Sequence, residues 1–240
     1  MSEHMSQYTE RHTVKSFDAH MEQLRTLVLE MGGLVIDQVS RSVQAIRDKD
    51  LEAATLVVER EETVNQYDTH GEELIFNILA KRQPIGPDLR VVLAYMRAIT
   101  DLERCGDEAK KIAKITKRRF DEDADIIHAF ADSAGSMGEL ATGLLREAVE
   151  TLDDADEERA VNAAQADARL DSEYKVALRT VHKALVDNPS LIEIAADLVI
   201  VIKALERIGD HAKNIAKYVV FIVQGKDVRH VKTKVLDQEI

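Results

Sequence analysis

The feature that most constrains this chain is a polar segment of twelve residues that occurs twice. The first copy is residues 103–114, ERCGDEAKKIAK, and the second is residues 206–217, ERIGDHAKNIAK. Nine of the twelve positions are identical, which is far more than unrelated segments share. Self-similarity at a fixed spacing is the mark of a duplicated fold. The 240-residue chain is therefore predicted to consist of two related halves.

The composition of both halves indicates helices. Three prolines, no tryptophan and 4% aromatic residues are few for a protein built of strands and turns. Apolar residues recur every three or four positions, as on the buried face of an amphipathic helix. We predict an all-α fold of two repeated three-helix bundles, with six long helices. Five of them cover about 14–46, 51–82, 87–120, 157–186 and 189–223. The fourth helix in chain order follows the acidic run at 121–125.

These helices divide the chain into two predicted domains. The first bundle is residues 14–120 and the second is residues 121–226, with short tails at 1–13 and 227–240. Asp48-Lys-Asp50 in the first half is matched by Asp154-Ala-Asp156 in the second, at a spacing of 106 residues. The spacing is 103 residues for the third and sixth helices, so the halves differ by a three-residue change in one loop.

Charge and cysteine content exclude several functions. A net charge of −12 gives no support for nucleic-acid binding, which usually shows a basic face. One local basic run either complements the dipole at a helix end or forms a docking patch, namely Lys110, Lys111, Lys114, Lys117, Arg118 and Arg119. The single cysteine, Cys105, rules out a disulfide within the chain and fits a reducing compartment. The longest apolar runs, 198–202 and 219–223, are far shorter than the roughly 20 residues that span a bilayer. We therefore expect a soluble cytoplasmic protein that reaches a membrane only through partners.

Two carboxylates stand at the same positions of both signature copies. Glu103 and Asp107 are four residues apart and so are neighbours on one helix face, and Glu206 and Asp210 repeat this arrangement. Like charges at this spacing destabilise a helix unless something positive lies near them. Exposed basic residues could supply that charge, and such pairs contribute little to stability. A bound cation is the other interpretation.

A second acidic pair in each half favours the cation. Asp167 and Asp171 lie on the predicted fifth helix, and Glu61 and Asn65 are their counterparts on the second, at the spacing of 106. If neighbouring helices pack together, the pairs face one another and offer several oxygen donors. Such donors suit iron, Mn²⁺, Mg²⁺ or Ca²⁺, whereas zinc prefers His and Cys. We predict a metal site, weaker in the first half because of Asn65.

Two glycines in the signature admit two explanations. Gly106 and Gly209 each lie inside a predicted helix, where glycine costs about 1 kcal/mol relative to alanine. Either a bulky ligand approaches the backbone there or two helices pack closely. Two residues of the signature, one beside a glycine and one beside a carboxylate, are not predicted to be functional. Cys105 takes the place of Ile208 and is expected to be a small core residue, and His211 is expected at the surface.

The doubled signature resembles that of the PhoU family of bacterial regulators of phosphate uptake. Further motifs resemble the same family, namely Met31-Gly-Gly33, Ala80-Lys-Arg-Gln-Pro84, Asp88-Leu-Arg90 and Gly225-Lys-Asp-Val-Arg-His230. The resemblance runs from about residue 17 to about residue 230. It implies two three-helix bundles related by pseudo-twofold symmetry. It also implies metal binding, including multinuclear iron, by the acidic pairs Glu103/Asp107, Glu206/Asp210, Glu61/Asn65 and Asp167/Asp171.

The resemblance also implies a function. Such proteins link a phosphate-specific ABC transporter, through its ATPase subunit, to a sensor histidine kinase, and they hold the phosphate-starvation response off when phosphate is plentiful. They do not bind DNA, and they form homodimers or larger oligomers. We therefore expect a metal-binding regulatory adaptor without catalytic activity. The alternatives are a carboxylate–metal-dependent enzyme on a helical bundle and a purely structural scaffold.

Overall fold

A computed structural model describes residues 15–119, 125–231 and 236. Within these residues the chain forms six long helices and no strands. They are α1 (Lys15–Asp48), α2 (Leu51–Arg82), α3 (Gly86–Arg118), α4 (Asp125–Asp154), α5 (Glu157–Asp187) and α6 (Ile192–Gln224). The predicted all-α fold is confirmed. The predicted tail 1–13 and the middle of the predicted boundary between the halves, 120–124, lie outside the described residues.

The second helix of each half begins at the same kind of cap. Asp50 accepts a hydrogen bond from the backbone N–H of Ala53 at 2.9 Å. Asp156 accepts one from the backbone N–H of Arg159 at 3.0 Å. A side-chain oxygen at this position satisfies one of the unpaired amides of the first helical turn. The match between the segments 48–50 and 154–156 therefore has a physical cause, since each ends in the aspartate that caps the next helix.

The start of the sixth helix differs from the sequence prediction. Asn188 accepts a hydrogen bond from the backbone N–H of Ser190 at 3.2 Å, and residues Pro189–Leu191 form a short 3₁₀ turn. The α-helix begins only at Ile192. The cap bonds two residues ahead, so it closes a tighter turn before the helix proper.

Each half is a bundle of three mutually packed helices, and two helix pairs join the halves. Helices α1, α2 and α3 pack together, as do α4, α5 and α6. The halves meet through α3 against α6 and α1 against α4. The buried apolar side chains form one core that draws on all six helices. The bundles therefore share a hydrophobic interface.

Contacts across this interface obey the predicted pseudo-twofold symmetry. A Cβ on Gly32 would meet Val149 Cγ1 at 2.9 Å, and a Cβ on Gly138 would meet Val43 Cγ2 at 2.5 Å. Gly32 corresponds to Gly138, and Val43 to Val149, at the spacing of 106. Each half thus offers the glycine that receives the other half's valine, which is the pattern of an isologous contact.

The pseudo-twofold axis passes between the middles of α3 and α6. The Sγ of Cys105 lies 3.9 Å from the backbone carbonyl oxygen of Ile208, and these two positions are equivalent at the spacing of 103. Cys105 is fully buried, which confirms its prediction as a core residue. Burial raises the pKa of its thiol well above the ordinary value, as expected for an inert cysteine.

The segment after α6 packs back onto that helix. Gly225 adopts the left-handed conformation that ends the helix (φ 75°). The ammonium of Lys217, a residue only 4% exposed, then donates hydrogen bonds to the carbonyl oxygens of Arg229 at 3.1 Å and Val231 at 2.9 Å. Val228, which lies between Gly225 and Arg229 in the chain, is buried. The described part of the predicted C-terminal tail is therefore anchored.

No helix in the described parts of the chain is long and apolar enough to cross a membrane.

Candidate functional site: two acidic clusters that contain a lysine

The acidic residues of the first half meet where α2 packs against α3. Glu61 on α2, which is 9% exposed, forms an ion pair with Lys110 on α3. Asp107 and Asn65 also interact with the Glu61 carboxylate. Burial by itself would raise the pKa of Glu61, but the bonds from Lys110 and these neighbours outweigh it and lower the pKa. Lys110 therefore stabilises the charged form of the buried Glu61.

The corresponding cluster of the second half lies between α5 and α6. The ammonium of Lys213 donates hydrogen bonds to Asp167 Oδ2 and Asp210 Oδ1, both at 2.6 Å. The two carboxylates therefore lie no more than about 5 Å apart. Burial acts to lower the pKa of Lys213, but its two hydrogen bonds more than offset this and raise it. Burial raises the pKa of Asp167 in spite of the lysine.

The two ion pairs are the same contact made twice. Lys110 corresponds to Lys213 at the spacing of 103, and Glu61 corresponds to Asp167 at the spacing of 106. Basic residues near the acidic pairs were predicted to be exposed, and these two lysines are instead largely buried between helices. Lys110 is 25% exposed and Lys213 is 19% exposed. The signal that could have found them is their identity in both copies of the signature.

The remaining predicted ligands lie along the same two helix contacts. Burial and the nearby Asp107 raise the pKa of Glu103. Asp68 on α2, which was not among the predicted ligands, adds negative charge beside Glu103 and has its own pKa raised by burial and by Glu72. Glu206 accepts a hydrogen bond from Lys203 at 2.6 Å. The charge of Asp171 contributes to the raised pKa of Asp167. One member of each predicted pair thus meets the adjacent helix, Asp107 at Glu61 and Asp210 at Asp167.

The donor chemistry of these clusters fits a hard cation, but each cluster already contains an ammonium. Carboxylate oxygens from two helices are the ligands that Mg²⁺, Mn²⁺ and iron take. In the described residues, however, no three His, Cys, Asp or Glu side chains converge as metal ligands. In the second cluster the point between the carboxylates is taken by the Lys213 Nζ. The residues therefore fit a metal ion only if the lysine moves away, and the metal site stays a prediction.

The signature glycines let the helices of each cluster approach closely. A Cβ on Gly209 would overlap Leu170 Cδ2 and lie 3.1 Å from Asp167 Oδ1. A Cβ on Gly106 would lie 3.3 Å from Val64 Cγ1. Val64 and Leu170 are equivalent at the spacing of 106. Helix packing thus accounts for both glycines, and it brings the carboxylates of α2 and α5 to the lysines of α3 and α6.

A third polar cluster, at the α3–α6 interface, corrects one sequence prediction. Asp101 on α3 lies 2.7 Å from His211 Nδ1 and accepts a hydrogen bond from the Tyr218 hydroxyl at 2.6 Å. Burial and the Asp101 carboxylate raise the pKa of Tyr218. The prediction that His211 lies at the surface is wrong, because its side chain is 17% exposed and pairs with a carboxylate of the other half. This cluster ties the two bundles together.

The fold and the clusters define a duplicated all-α protein that carries one lysine-compensated acidic contact in each repeat. A family model described as the PhoU domain matches residues 28–116 and residues 135–219, once in each half. The chain belongs to the PhoU family. The predicted resemblance is thereby confirmed.

Individual relatives cover nearly the whole chain. A protein of Pseudomonas putida named "Phosphate-specific transport system accessory protein PhoU homolog" is 35% identical over 229 residues, 95% of this chain and 89% of the relative. The accessory protein PhoU of Escherichia coli K12 is 30% identical over 95% of this chain and 93% of its own length. Among solved structures, PhoU from Pseudomonas aeruginosa superimposes with a TM-score of 0.84 at 35% identity, covering 88% of this chain and all of that one. The regulatory protein PhoU from Streptococcus pneumoniae gives a TM-score of 0.79 at 27% identity, over 88% of this chain and 98% of that chain.

Proposed function

We propose that this protein is a regulatory accessory protein of a phosphate-specific transport system. The observation that carries the proposal is the match of the family and its named relatives across both repeats. In finer terms, the protein links the transporter's ATPase subunit to a sensor histidine kinase and holds the phosphate-starvation response off while phosphate is plentiful. It acts in the cytoplasm as a homodimer, does not bind nucleic acid and reaches the membrane only through these partners.

The partner proposal is tested by affinity capture of the tagged full-length protein from native membranes. Cells grown with abundant phosphate are compared with phosphate-starved cells. We expect the transporter ATPase and the kinase to be recovered and their amounts to depend on phosphate. Deleting the gene should switch a starvation-response reporter on in phosphate-rich medium. A reporter that stays off, together with capture of neither partner, would refute the adaptor role.

We further propose that the two acidic clusters bind metal ions, either iron or another hard cation such as Mn²⁺ or Mg²⁺. The ligands would come from Glu103, Asp107, Glu61, Asn65, Glu206, Asp210, Asp167 and Asp171. Support comes from the facing carboxylates on adjacent helices and their repetition in both halves. A bound metal would supply positive charge that fixes two helices against each other. The carboxylates of this chain would bind it and orient it.

Neutralising two predicted ligands of the second cluster tests this proposal. The double variant Glu206→Gln, Asp210→Asn should lower bound metal in the purified protein by about half or more, since it impairs the stronger of the two predicted sites. Elemental analysis gives the metal content and circular dichroism the helix content. The helices should persist, because both side chains lie on helices whose buried faces are unchanged. The matched control is Glu147→Gln, Glu150→Gln, which neutralises two half-exposed carboxylates on α4. Unchanged metal content in the ligand variant would remove the assignment.

We propose no catalytic activity for the chain. A carboxylate–metal enzyme requires an open coordination position and a general acid or base beside it. In the second cluster the residue next to the carboxylates is a protonated lysine that makes two ion pairs. Purified protein supplied with metal is therefore expected neither to hydrolyse phosphate esters nor to reduce oxygen. Turnover that depends on Asp210 would favour the enzyme instead.

A further inference from the structure

We propose that Lys110 and Lys213 are built-in counter-ions that compete with metal for the two acidic clusters, so that a metal ion binds only by displacing an ammonium. The inference rests on the metal-binding part of the proposed function and states how that site is controlled. It concerns residues that no metal would coordinate, because a protonated lysine has no free lone pair.

The geometry of the second cluster requires this exclusion. The Lys213 Nζ lies 2.6 Å from an oxygen on each of two helices, Asp167 Oδ2 on α5 and Asp210 Oδ1 on α6. A hard cation that takes the same two oxygens binds each at about 2.0–2.6 Å. The ion and the nitrogen would then need the same space between the carboxylates. Only one of the two cations can be there at a time.

Buried carboxylates explain why a lysine is present at all. Asp167 is 6% exposed and Glu61 is 9% exposed, and a buried charge without a partner is strongly destabilising. With the lysine in place, each cluster is compensated when no metal is bound. The buried carboxylates of the α2–α3 and α5–α6 contacts therefore have a cationic partner in the absence of metal.

The lysines are also able to leave. An ammonium on a flexible four-carbon stem can turn out to water more readily than a rigid side chain. Both side chains are partly accessible already, at 25% for Lys110 and 19% for Lys213. A divalent ion brings twice the charge of the ammonium that it replaces. The exchange therefore leaves the carboxylates better compensated and places the ammonium in solvent.

The test removes the ammonium and measures metal affinity directly. Lys110→Met and Lys213→Met keep the unbranched stem and the helix propensity of the side chain and remove the ammonium. Titration of the metal-free full-length protein with Mn²⁺, followed by calorimetry and by the electron paramagnetic resonance signal of free Mn²⁺, gives the dissociation constants. We expect each variant to bind Mn²⁺ at least about tenfold more tightly at its own cluster, because a unit positive charge is removed from beside the ion. The effect should be larger for Lys213, which bridges two carboxylates.

Lys111→Met is the matched control. It removes the same charge from the neighbouring position of α3, where Lys111 pairs with Glu108 at 2.9 Å and Glu108 retains Arg207 at 2.8 Å. Its Mn²⁺ affinity should stay within about twofold of wild type. Wild-type binding with unchanged or weaker affinity in both cluster variants would overturn the competition but leave the metal site standing. Binding of Mn²⁺ by none of the proteins would overturn both.

A second measurement uses the unmodified protein and so does not depend on how the variants fold. Amine-reactive labelling of the wild type, read residue by residue by mass spectrometry, reports how exposed each lysine is. Adding Mn²⁺ should raise the labelling rates of Lys110 and Lys213 several-fold and leave that of Lys111 unchanged. Labelling of Lys110 and Lys213 that falls or stays constant, under conditions where Mn²⁺ is bound, would overturn the proposal.

Discussion

Replacing Gly138 by alanine is expected to destabilise the folded protein by about 2 kcal/mol or more, although alanine is the better helix former. The added methyl group would lie 2.9 Å from Val43 Cβ and 2.5 Å from its Cγ2. Rotation about χ1 moves the valine methyl groups but not the Cβ, so no rotamer relieves the clash. Helices α1 and α4 must separate, and with them the two halves. Urea unfolding gives the free-energy change, and thermal unfolding should show a Tm lower by several degrees.

Two other glycines provide matched controls within the same helices. A Cβ on Gly143 of α4 or on Gly33 of α1 meets nothing within 4 Å. Gly143→Ala and Gly33→Ala should therefore stabilise the protein by about 0.5–1 kcal/mol through helix propensity. Combining Gly138→Ala with Val43→Ala should recover much of the loss, because the second change makes room for the first. If Gly138→Ala proved as stable as Gly143→Ala, the α1–α4 contact described here would be wrong.

The second large effect is expected at the polar cluster between α3 and α6. Replacing Asp101 by alanine should cost about 2–4 kcal/mol, because it removes two short hydrogen bonds to a carboxylate and leaves buried partners unpaired. Asp101 is 7% exposed and Tyr218 is 5% exposed, so water cannot easily replace the lost bonds. Chemical unfolding measured at neutral pH gives the change in free energy.

A double-mutant cycle separates this contact from general damage to the core. Tyr218→Phe alone should cost about 1 kcal/mol through the lost hydrogen bond to Asp101. In the Asp101→Ala background the same change should cost little or become stabilising, because the hydroxyl no longer has its partner. Additive effects of the two substitutions would mean that Asp101 and Tyr218 do not interact in solution.

Much of the architecture could be predicted because it depends on local signals. The three-and-four spacing of apolar residues predicted six helices, and the matched segments 48–50 and 154–156 separated the first and second helices of each half. The start of α6 differs most from its predicted position, by three residues, because it depends on how Asn188 bonds to Ser190, which residue types alone do not reveal. The doubled signature predicted two repeats, and the carboxylate spacing predicted which residues share a face.

The candidate site was predicted only in part, because its ion pairs join residues of different helices. The acidic residues could be paired along one helix by counting, and their counterparts followed from the repeat. Whether Lys110 turns toward Glu61 or toward solvent depends on how α2 and α3 are rotated against each other. Asp68 and His211 were missed or misplaced for the same reason, since each acquires its environment from a helix that is distant in sequence.

The sequence by itself determined the helices, the duplication and the acidic faces, because these follow from periodicity and spacing within one segment. Only the tertiary structure decided that Gly106 and Gly209 serve helix packing and that a lysine compensates each acidic cluster. It also decided that Asp101 binds α6 of the other half. These outcomes depend on how closely two helices approach and on which side chains then share a low-dielectric space, and neither quantity is encoded in any single stretch of the chain.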